Sequence, residues 1–109
     1  MSDKTQNKLA LCGDVADFFK VLGDETRLKI LFLLLDGAMC VMCISERTGM
    51  SQSAVSHQLA ILRKANLVKV VRDGKQQIYS ISDEHVRLVV DMAELHVSED
   101  IEGGDCFVG

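Results

Sequence analysis

Residues 51–81, with the sequence SQSAVSHQLAILRKANLVKVVRDGKQQIYSI, predict a capped helix followed by a β-hairpin. Ser51 is a favourable N-cap, and the helix after it has an apolar face at helical spacing, formed by Val55, Leu59 and Leu62. Two β-prone runs follow, Leu67–Arg72 and Gln76–Ile81. The dipeptide Asp73-Gly74 between them indicates a type I′ turn, because that turn needs positive φ angles.

Helices are also predicted on both sides of this stretch, from their caps and apolar periodicity. In chain order they are Val15–Val21, a helix capped by Asp24 and ended by Gly37, a helix at about Val41–Thr48 ended by Gly49, and a last helix capped by Ser82 or Asp83. The apolar face of the last helix is expected to consist of Val86, Val89, Val90, Ala93 and Val97.

The helix at Val41–Thr48, the Gly49 turn and the helix capped by Ser51 form a helix-turn-helix. With the hairpin as a wing, the predicted fold class is mainly α with a β-hairpin wing, a winged helix-turn-helix. We expect a single domain over residues 1–109, in which residues 1–14 form an N-terminal arm and residues 100–109 a flexible acidic tail.

Composition narrows the class of protein further. Apolar runs are short, such as the six residues Ile30–Leu35, whereas a membrane-spanning helix needs about 20. The polar start of the chain, MSDKTQNK, has no apolar export segment, so we expect a cytosolic protein. The four cysteines should then be thiols, which fit metal ligands or redox groups better than a disulfide framework.

The charge is unevenly distributed along a chain whose net charge is −4. Residues 51–80 hold five basic residues and one acidic residue, a balance of +4, while residues 81–109 hold eight acidic residues and one basic residue, a balance of −7. Residues 1–50 account for the remaining −1. A basic module in an acidic chain is typical of a protein that binds nucleic acid.

The helix capped by Ser51 is the predicted DNA-reading element. In a helix-turn-helix the second helix enters the major groove by its N-terminal end, where short polar side chains reach bases and phosphates. The candidate contacts there and on the hairpin are Ser51, Gln52, Ser53, Ser56, His57, Gln58, Arg63, Lys64, Arg72, Lys75 and Gln76. A polar first turn alone is typical of a solvated cap, and a basic hairpin alone of a soluble surface, but their combination favours operator DNA.

A metal site is predicted from Asp83-x-His85 and His96-x-x-Glu99 in the last helix. Eleven residues separate the two histidines, which places them on nearly the same face but about 16 Å apart along the axis. One helix therefore cannot close the site, since zinc ligands lie at about 2.0–2.2 Å. An antiparallel second copy would bring the two pairs together, so the spacing predicts a homodimer with two equivalent sites. Nitrogen and oxygen ligands suit Zn²⁺ or Co²⁺, while the tetrahedral closure of four ligands disfavours Ni²⁺.

The cysteines form a second candidate metal site. Cys40 and Cys43 are three residues apart, which places two thiolates on one helix face, and Cys12 is a possible third ligand. Buried cysteines that pack as small apolar residues are the alternative. Cys106 has no assigned role.

Several runs of the chain resemble the ArsR/SmtB family of metal-sensing repressors. These runs are FKVLGDETRLKIL from Phe19, MCV from Met39, SQSAVSHQLAILR from Ser51 and GKQQIY from Gly74. The resemblance covers about residues 15–99. It implies a homodimeric winged-helix repressor, held through its first and last helices, that binds its operator when metal-free and leaves it when metal binds.

The resemblance also extends to the two metal sites. Asp83, His85, His96 and Glu99 match the family's zinc site on the C-terminal helix. In that family, the histidine that matches His96 connects the metal, through its second ring N–H, to the end of the recognition helix. That end lies near Asn66 in this chain. Cys40 matches the first cysteine of the family's thiolate site, but Met42 stands where the commonest version has the second.

Other classes of protein remain alternatives at this point. A cadmium or lead sensor would use Cys12, Cys40 and Cys43. A thiol oxidoreductase would use the Cys-x-x-Cys spacing, but no βαβ pattern surrounds it and no pocket of acids and bases is evident, so we expect no enzyme. A metal-buffering protein would have no use for the basic hairpin.

Overall fold

The computed structural model describes residues 3–103, with side chains described through Glu99. The elements in chain order are α1 (Asp3–Ala10), α2 (Cys12–Leu22), α3 (Glu25–Leu35), β1 (Met39–Cys40), α4 (Val41–Thr48), α5 (Gln52–Lys64), β2 (Val68–Asp73), β3 (Gln76–Ile81) and α6 (Glu84–Gly103). This order confirms the predicted mainly helical fold with a hairpin between the last two helices. No helix in this part of the chain combines the length and apolar character of a bilayer span.

Local chemistry explains where the helices begin and end. Asp24 caps α3 by accepting a hydrogen bond from the backbone N–H of Arg27 at 3.1 Å. Ser51 caps α5 through the N–H of Ala54, also at 3.1 Å. Gly49, with φ of +77°, ends α4 in the left-handed conformation that glycine adopts without a steric penalty. The three predicted boundaries are confirmed.

The sheet has three antiparallel strands in the order β1-β3-β2. Strands β2 and β3 form the wing, with Val70 opposite Tyr79 and Asp73 opposite Gln76. The loop is therefore Gly74-Lys75, and only Gly74 has a positive φ, at +64°. This pattern fits a type II′ turn, so the expected type I′ turn was wrong. Strand β1, too short to be found by periodicity, pairs Cys40 with Ile78 of β3.

The core lies between α3, the helix-turn-helix and the sheet. The predicted inward face of α5 is confirmed, because Val55, Leu59 and Leu62 are fully buried. They pack with apolar residues of the neighbouring elements, among them Ile30, Leu31, Leu34, Ile44, Leu67 and Tyr79. This packing holds the recognition helix and the wing on one body.

Only the first half of the predicted apolar face of α6 is buried in the single chain. Val86 and Val90 are buried, but Ala93 and Val97 are exposed. The second half of the predicted face stays outside the core of the single chain, because Ala93 and Val97 line a cavity of about 310 Å³ with Leu28 and Phe32 of α3 instead of packing tightly against them. Helix α6 continues to Gly103, inside the segment that we expected to be a flexible tail, and the rest of that segment lies outside the described residues. The expected N-terminal arm is helical over Asp3–Ala10.

Candidate DNA-binding surface and metal sites

The first turn of α5 presents polar side chains to solvent. Gln52, Ser53, Ser56 and His57 are exposed. The Ser51 hydroxyl accepts a hydrogen bond from the Ala54 N–H and lies 3.3 Å from the Ser53 hydroxyl. Ser51 therefore acts as the N-cap of α5. The exposed amide, hydroxyl and imidazole groups can hydrogen-bond to base edges or phosphates.

Gln58 differs from the other candidate DNA contacts. Its side-chain oxygen accepts a hydrogen bond from Nε of Arg27 at 3.0 Å, and Arg27 also donates to the carbonyl of Val21 at 3.4 Å. The side chain is half-buried and ties α5 to α2 and α3, so a base contact would require this bond to break. The role of Arg27 was missed because no local pattern marks a contact between residues 31 positions apart.

The wing and the start of α5 face a common cavity of about 330 Å³. Its lining includes Arg72, Lys75 and Gln76 of the hairpin, Gln52 of α5, and Cys40 at the start of α4. Arg63 and Lys64 are exposed in the last turn of α5, about 16 Å along the axis from Gln52. Apart from Gln58, the predicted DNA contacts thus form two groups, one on the wing and the N-terminal part of α5 and one at the far end of α5.

The four α6 ligand candidates form two pairs. Asp83 Oδ1 lies 3.4 Å from His85 Nδ1 and also accepts the N–H of Val86 at 3.0 Å, which caps α6. The His85 side chain is 92% exposed. His96 and Glu99 are exposed on the same continuous helix, about 16 Å further along. Within residues 3–99, no three His, Cys, Asp or Glu side chains come close enough to hold a metal ion.

An exposed apolar stripe connects these two pairs. Leu88, Met92 and Leu95 are 51%, 59% and 47% exposed. At 100° per residue they lie on the same side of α6 as His85 and His96. An apolar stripe of this length on a single chain is typical of an interaction surface.

Ser82 joins the start of α6 to the end of α5. Its hydroxyl donates to the carbonyl of Asn66 at 2.6 Å, and its backbone N–H donates to the carbonyl of Leu67 at 3.1 Å. Asn66 has a φ of +62°, a left-handed conformation that asparagine tolerates better than most residues. The sequence indicated Ser82 only as a possible cap, a role that Asp83 takes instead.

The structure brings Cys40 and Cys43 together, with their Sγ atoms 3.5 Å apart. Hydrogen bonds from the backbone and thiol of Cys43 lower the pKa of Cys40, which is the N-cap residue of α4. The Cys40 side chain in turn raises the pKa of Cys43, by its hydrogen bond and its charge. Cys12 is exposed in the first turn of α2, where its thiol lies 3.6 Å from the carbonyl of Lys8.

Comparisons with known proteins identify the family. The family model described as "Bacterial regulatory protein, arsR family" matches residues 24–70, from the cap of α3 into β2. The cadmium resistance transcriptional regulatory protein CadC homolog of Staphylococcus aureus is 40% identical over 87 residues, covering 79% of this chain and 72% of that protein. The chain belongs to the ArsR family. The resemblance inferred from the sequence is therefore confirmed.

Two further matches of this ArsR-family chain are a curated repressor and a solved structure. The transcriptional repressor SmtB homolog of Synechocystis sp. is 43% identical over 72 residues, which cover 66% of this chain and 54% of that protein. A homodimeric winged helix-turn-helix DNA-binding domain from Mycobacterium bovis has a TM-score of 0.82 at 32% identity, covering 99% of this chain and 97% of that one. The winged helix-turn-helix fold is confirmed, and ArsR-family proteins of this fold are DNA-binding regulators rather than enzymes.

Proposed function

We propose that this protein is a metal-responsive transcriptional repressor that works in the cytosol as a homodimer. It binds operator DNA when metal-free and dissociates when Zn²⁺, or Co²⁺, binds between the two α6 helices. The observation that carries this proposal is the exposed stripe of α6 with a ligand pair at each end. Metal-responsive relatives such as the CadC homolog support it.

The DNA contacts follow from the two polar groups described above. The first turn of α5 enters the major groove, where Gln52 can pair with adenine and Ser56 and His57 with bases or phosphates. Arg72 and Lys75 on the wing, with Arg63 and Lys64 at the end of α5, neutralise the DNA backbone. Because such contacts release counterions, DNA affinity should fall steeply with salt.

The metal would be held jointly by two chains. In an antiparallel pair of α6 helices, Asp83 and His85 of one chain meet His96 and Glu99 of the other. The donor set, two imidazoles and two carboxylates, suits Zn²⁺. All four side chains are exposed in the single chain, so a second copy can reach them, and covering the stripe between them supplies apolar burial for the dimer.

The connection from the metal to the DNA-reading helix would begin at Ser82. Ser82 is the neighbour of the proposed ligand Asp83, and its hydroxyl holds the carbonyl of Asn66 at the end of α5. A shift of Asp83 on metal binding would move this contact and change the angle of α5. The link from His96 towards Asn66 that the family resemblance implies would act at the same end of the helix.

The cysteines support a second candidate, a sensor of Cd²⁺ or Pb²⁺. Two thiols 3.5 Å apart form half of a soft-metal site. Cys12, from the same chain or from a partner, would be the third ligand. The CadC homolog is a cadmium resistance regulator by name, which favours this candidate over a thiol oxidoreductase.

A gel-shift series decides between these candidates. Zn²⁺ and Cd²⁺ are titrated against the wild type, His96→Ala and Cys40→Ser on the promoter DNA beside the native gene. We expect Zn²⁺ to release DNA from the wild type and Cys40→Ser but not from His96→Ala. Release by either metal that is lost only in Cys40→Ser would transfer the function to the cysteines.

A further inference from the structure

We propose that Cys40 and Cys43 are a redox switch, in which a hydroperoxide converts the two thiols into a disulfide and the bond weakens DNA binding. This response is separate from metal sensing. It rests on DNA binding by the proposed repressor. It uses the two thiols of the second candidate metal site but needs no bound metal, so it can be tested in metal-free protein.

The positions of the two sulfur atoms carry the first step. They lie 3.5 Å apart within one turn of α4, and a disulfide bond is about 2.05 Å long. Closure therefore needs a sulfur movement of only about 1.5 Å, within the reach of side-chain rotation. Cys43 is exposed and Cys40 is partly exposed, so a small peroxide can reach both.

The chemistry balances with a hydroperoxide as the oxidant. The thiolate of Cys40, at the N-terminus of α4, attacks one peroxide oxygen and the O–O bond breaks, which gives a Cys40 sulfenic acid. The alkoxide or hydroxide that leaves takes a proton from solvent and becomes an alcohol or water. The Cys43 thiol then attacks the sulfenic sulfur and forms the S–S bond, and a water molecule leaves. Two electrons pass from the thiols to the peroxide, and a thiol reductant reverses the bond.

Cys40 lies next to both proposed DNA-binding elements, so a change in its position would also shift them. Its backbone pairs with Ile78 of the wing strand β3. Its side chain lines the cavity shared by Gln52 of the recognition helix and Arg72 of the wing. A disulfide that draws Cys40 towards Cys43 therefore acts at the junction between the two elements that must face DNA together.

The test uses a Cys12→Ser/Cys106→Ser background, in which Cys40 and Cys43 are the only cysteines. The protein is freed of metal with a chelator and treated with hydrogen peroxide. Intact mass and peptide mapping report the disulfide, as a loss of about 2 Da for two hydrogens. Fluorescence anisotropy then measures affinity for a duplex that the reduced, metal-free protein has enriched from a random pool.

We expect an intramolecular Cys40–Cys43 disulfide and an affinity lower by about fivefold or more, the lower end of usual coupling between two sites. Dithiothreitol should restore it. Cys40→Ser in the same background is the matched control, and peroxide should leave its affinity as it was before treatment. With Cys43→Ser, a dimedone probe should trap the sulfenic acid at Cys40.

Three outcomes would overturn the proposal. These are a thiol pair that does not lose hydrogen, a disulfide that joins two chains instead of one, and an intramolecular disulfide with unchanged DNA affinity. None of them depends on release by Zn²⁺, so a failure here and a failure of the metal response are distinguishable.

Discussion

The α6 ligand candidates and the cysteine pair differ in the number of metal donors they offer and in whether one chain brings those donors together. The α6 set has four suitable donors, but one chain holds them as two pairs about 16 Å apart. The cysteine pair is assembled within one chain, with sulfur atoms 3.5 Å apart, but it has only two donors. A complete α6 site therefore requires dimerisation, whereas the chemistry of the cysteine pair does not.

The largest effect is expected from Met92→Glu, which tests whether the α6 site needs a second chain. Met92 lies in the middle of the exposed stripe of α6, and burying an unpaired carboxylate costs several kcal/mol. We expect the dimer dissociation constant, measured by analytical ultracentrifugation, to rise by about 100-fold or more, since each 1.4 kcal/mol is tenfold. Release of DNA by Zn²⁺ should be lost with it.

Val71→Glu is the matched control for this change, because Val71 is an equally exposed apolar residue that lies on the wing. It should leave the dimer intact. The reactivity of Cys40 should be the same in Met92→Glu as in the wild type. If Met92→Glu remained a dimer that binds Zn²⁺ normally, the shared α6 site would be wrong.

A smaller effect is expected from Ser82→Ala, which removes the hydrogen bond to the Asn66 carbonyl. Zinc affinity is measured by competition with a chelating dye, with and without operator DNA. The ratio of the two affinities should fall by about two- to thirtyfold, since residues between coupled sites contribute roughly 0.5–2 kcal/mol. Ser82→Thr keeps the hydroxyl and should retain the ratio. An unchanged ratio in Ser82→Ala would remove Ser82 from the proposed connection.

The smallest expected effect concerns thiol reactivity at the cysteine pair. The hydrogen bonds from Cys43 lower the pKa of Cys40, so at neutral pH a larger fraction of Cys40 is thiolate than in an ordinary thiol. Iodoacetamide should therefore modify Cys40 several-fold faster than a free cysteine peptide, as followed by peptide mass spectrometry. The midpoint of its rate-pH profile should lie below that of the peptide and move upward in Cys43→Ala. A profile that coincides with that of the peptide would contradict the proposed interaction.

Local patterns predicted much of the fold correctly. The caps Asp24 and Ser51, the stop at Gly49 and the inward face of α5 depend on neighbouring residues, which is why the sequence was sufficient for them. Strand β1 was not predicted, because two residues carry no periodicity. The type II′ turn was missed because Gly74-Lys75 and Asp73-Gly74 are alternative loops that differ by one residue of register.

The candidate sites likewise include features that the sequence predicted and contacts that it did not. Spacing along the chain placed Cys40 and Cys43 on one turn of α4, and it separated the two pairs of α6 ligands by the length of the helix. Spacing could not reveal that Gln58 is held by Arg27, or that Ser82 reaches Asn66. These contacts join residues 31 and 16 positions apart, and they form only when separate elements pack.

The sequence by itself determined the family and the winged helix-turn-helix, and it predicted that the α6 ligand candidates need a second chain. The family follows from the resemblance of whole runs of sequence, and the fold and the expected second chain follow from periodicity, turn chemistry and fixed helical geometry, which operate over a few residues at a time. Only the tertiary structure decided which apolar residues of α6 enter the core and which remain exposed. It also decided that Cys40 lies beside the wing and the recognition helix. Both outcomes depend on how α6 packs beside α3 and on how β1 pairs with β3, and this is a property of packing between distant segments.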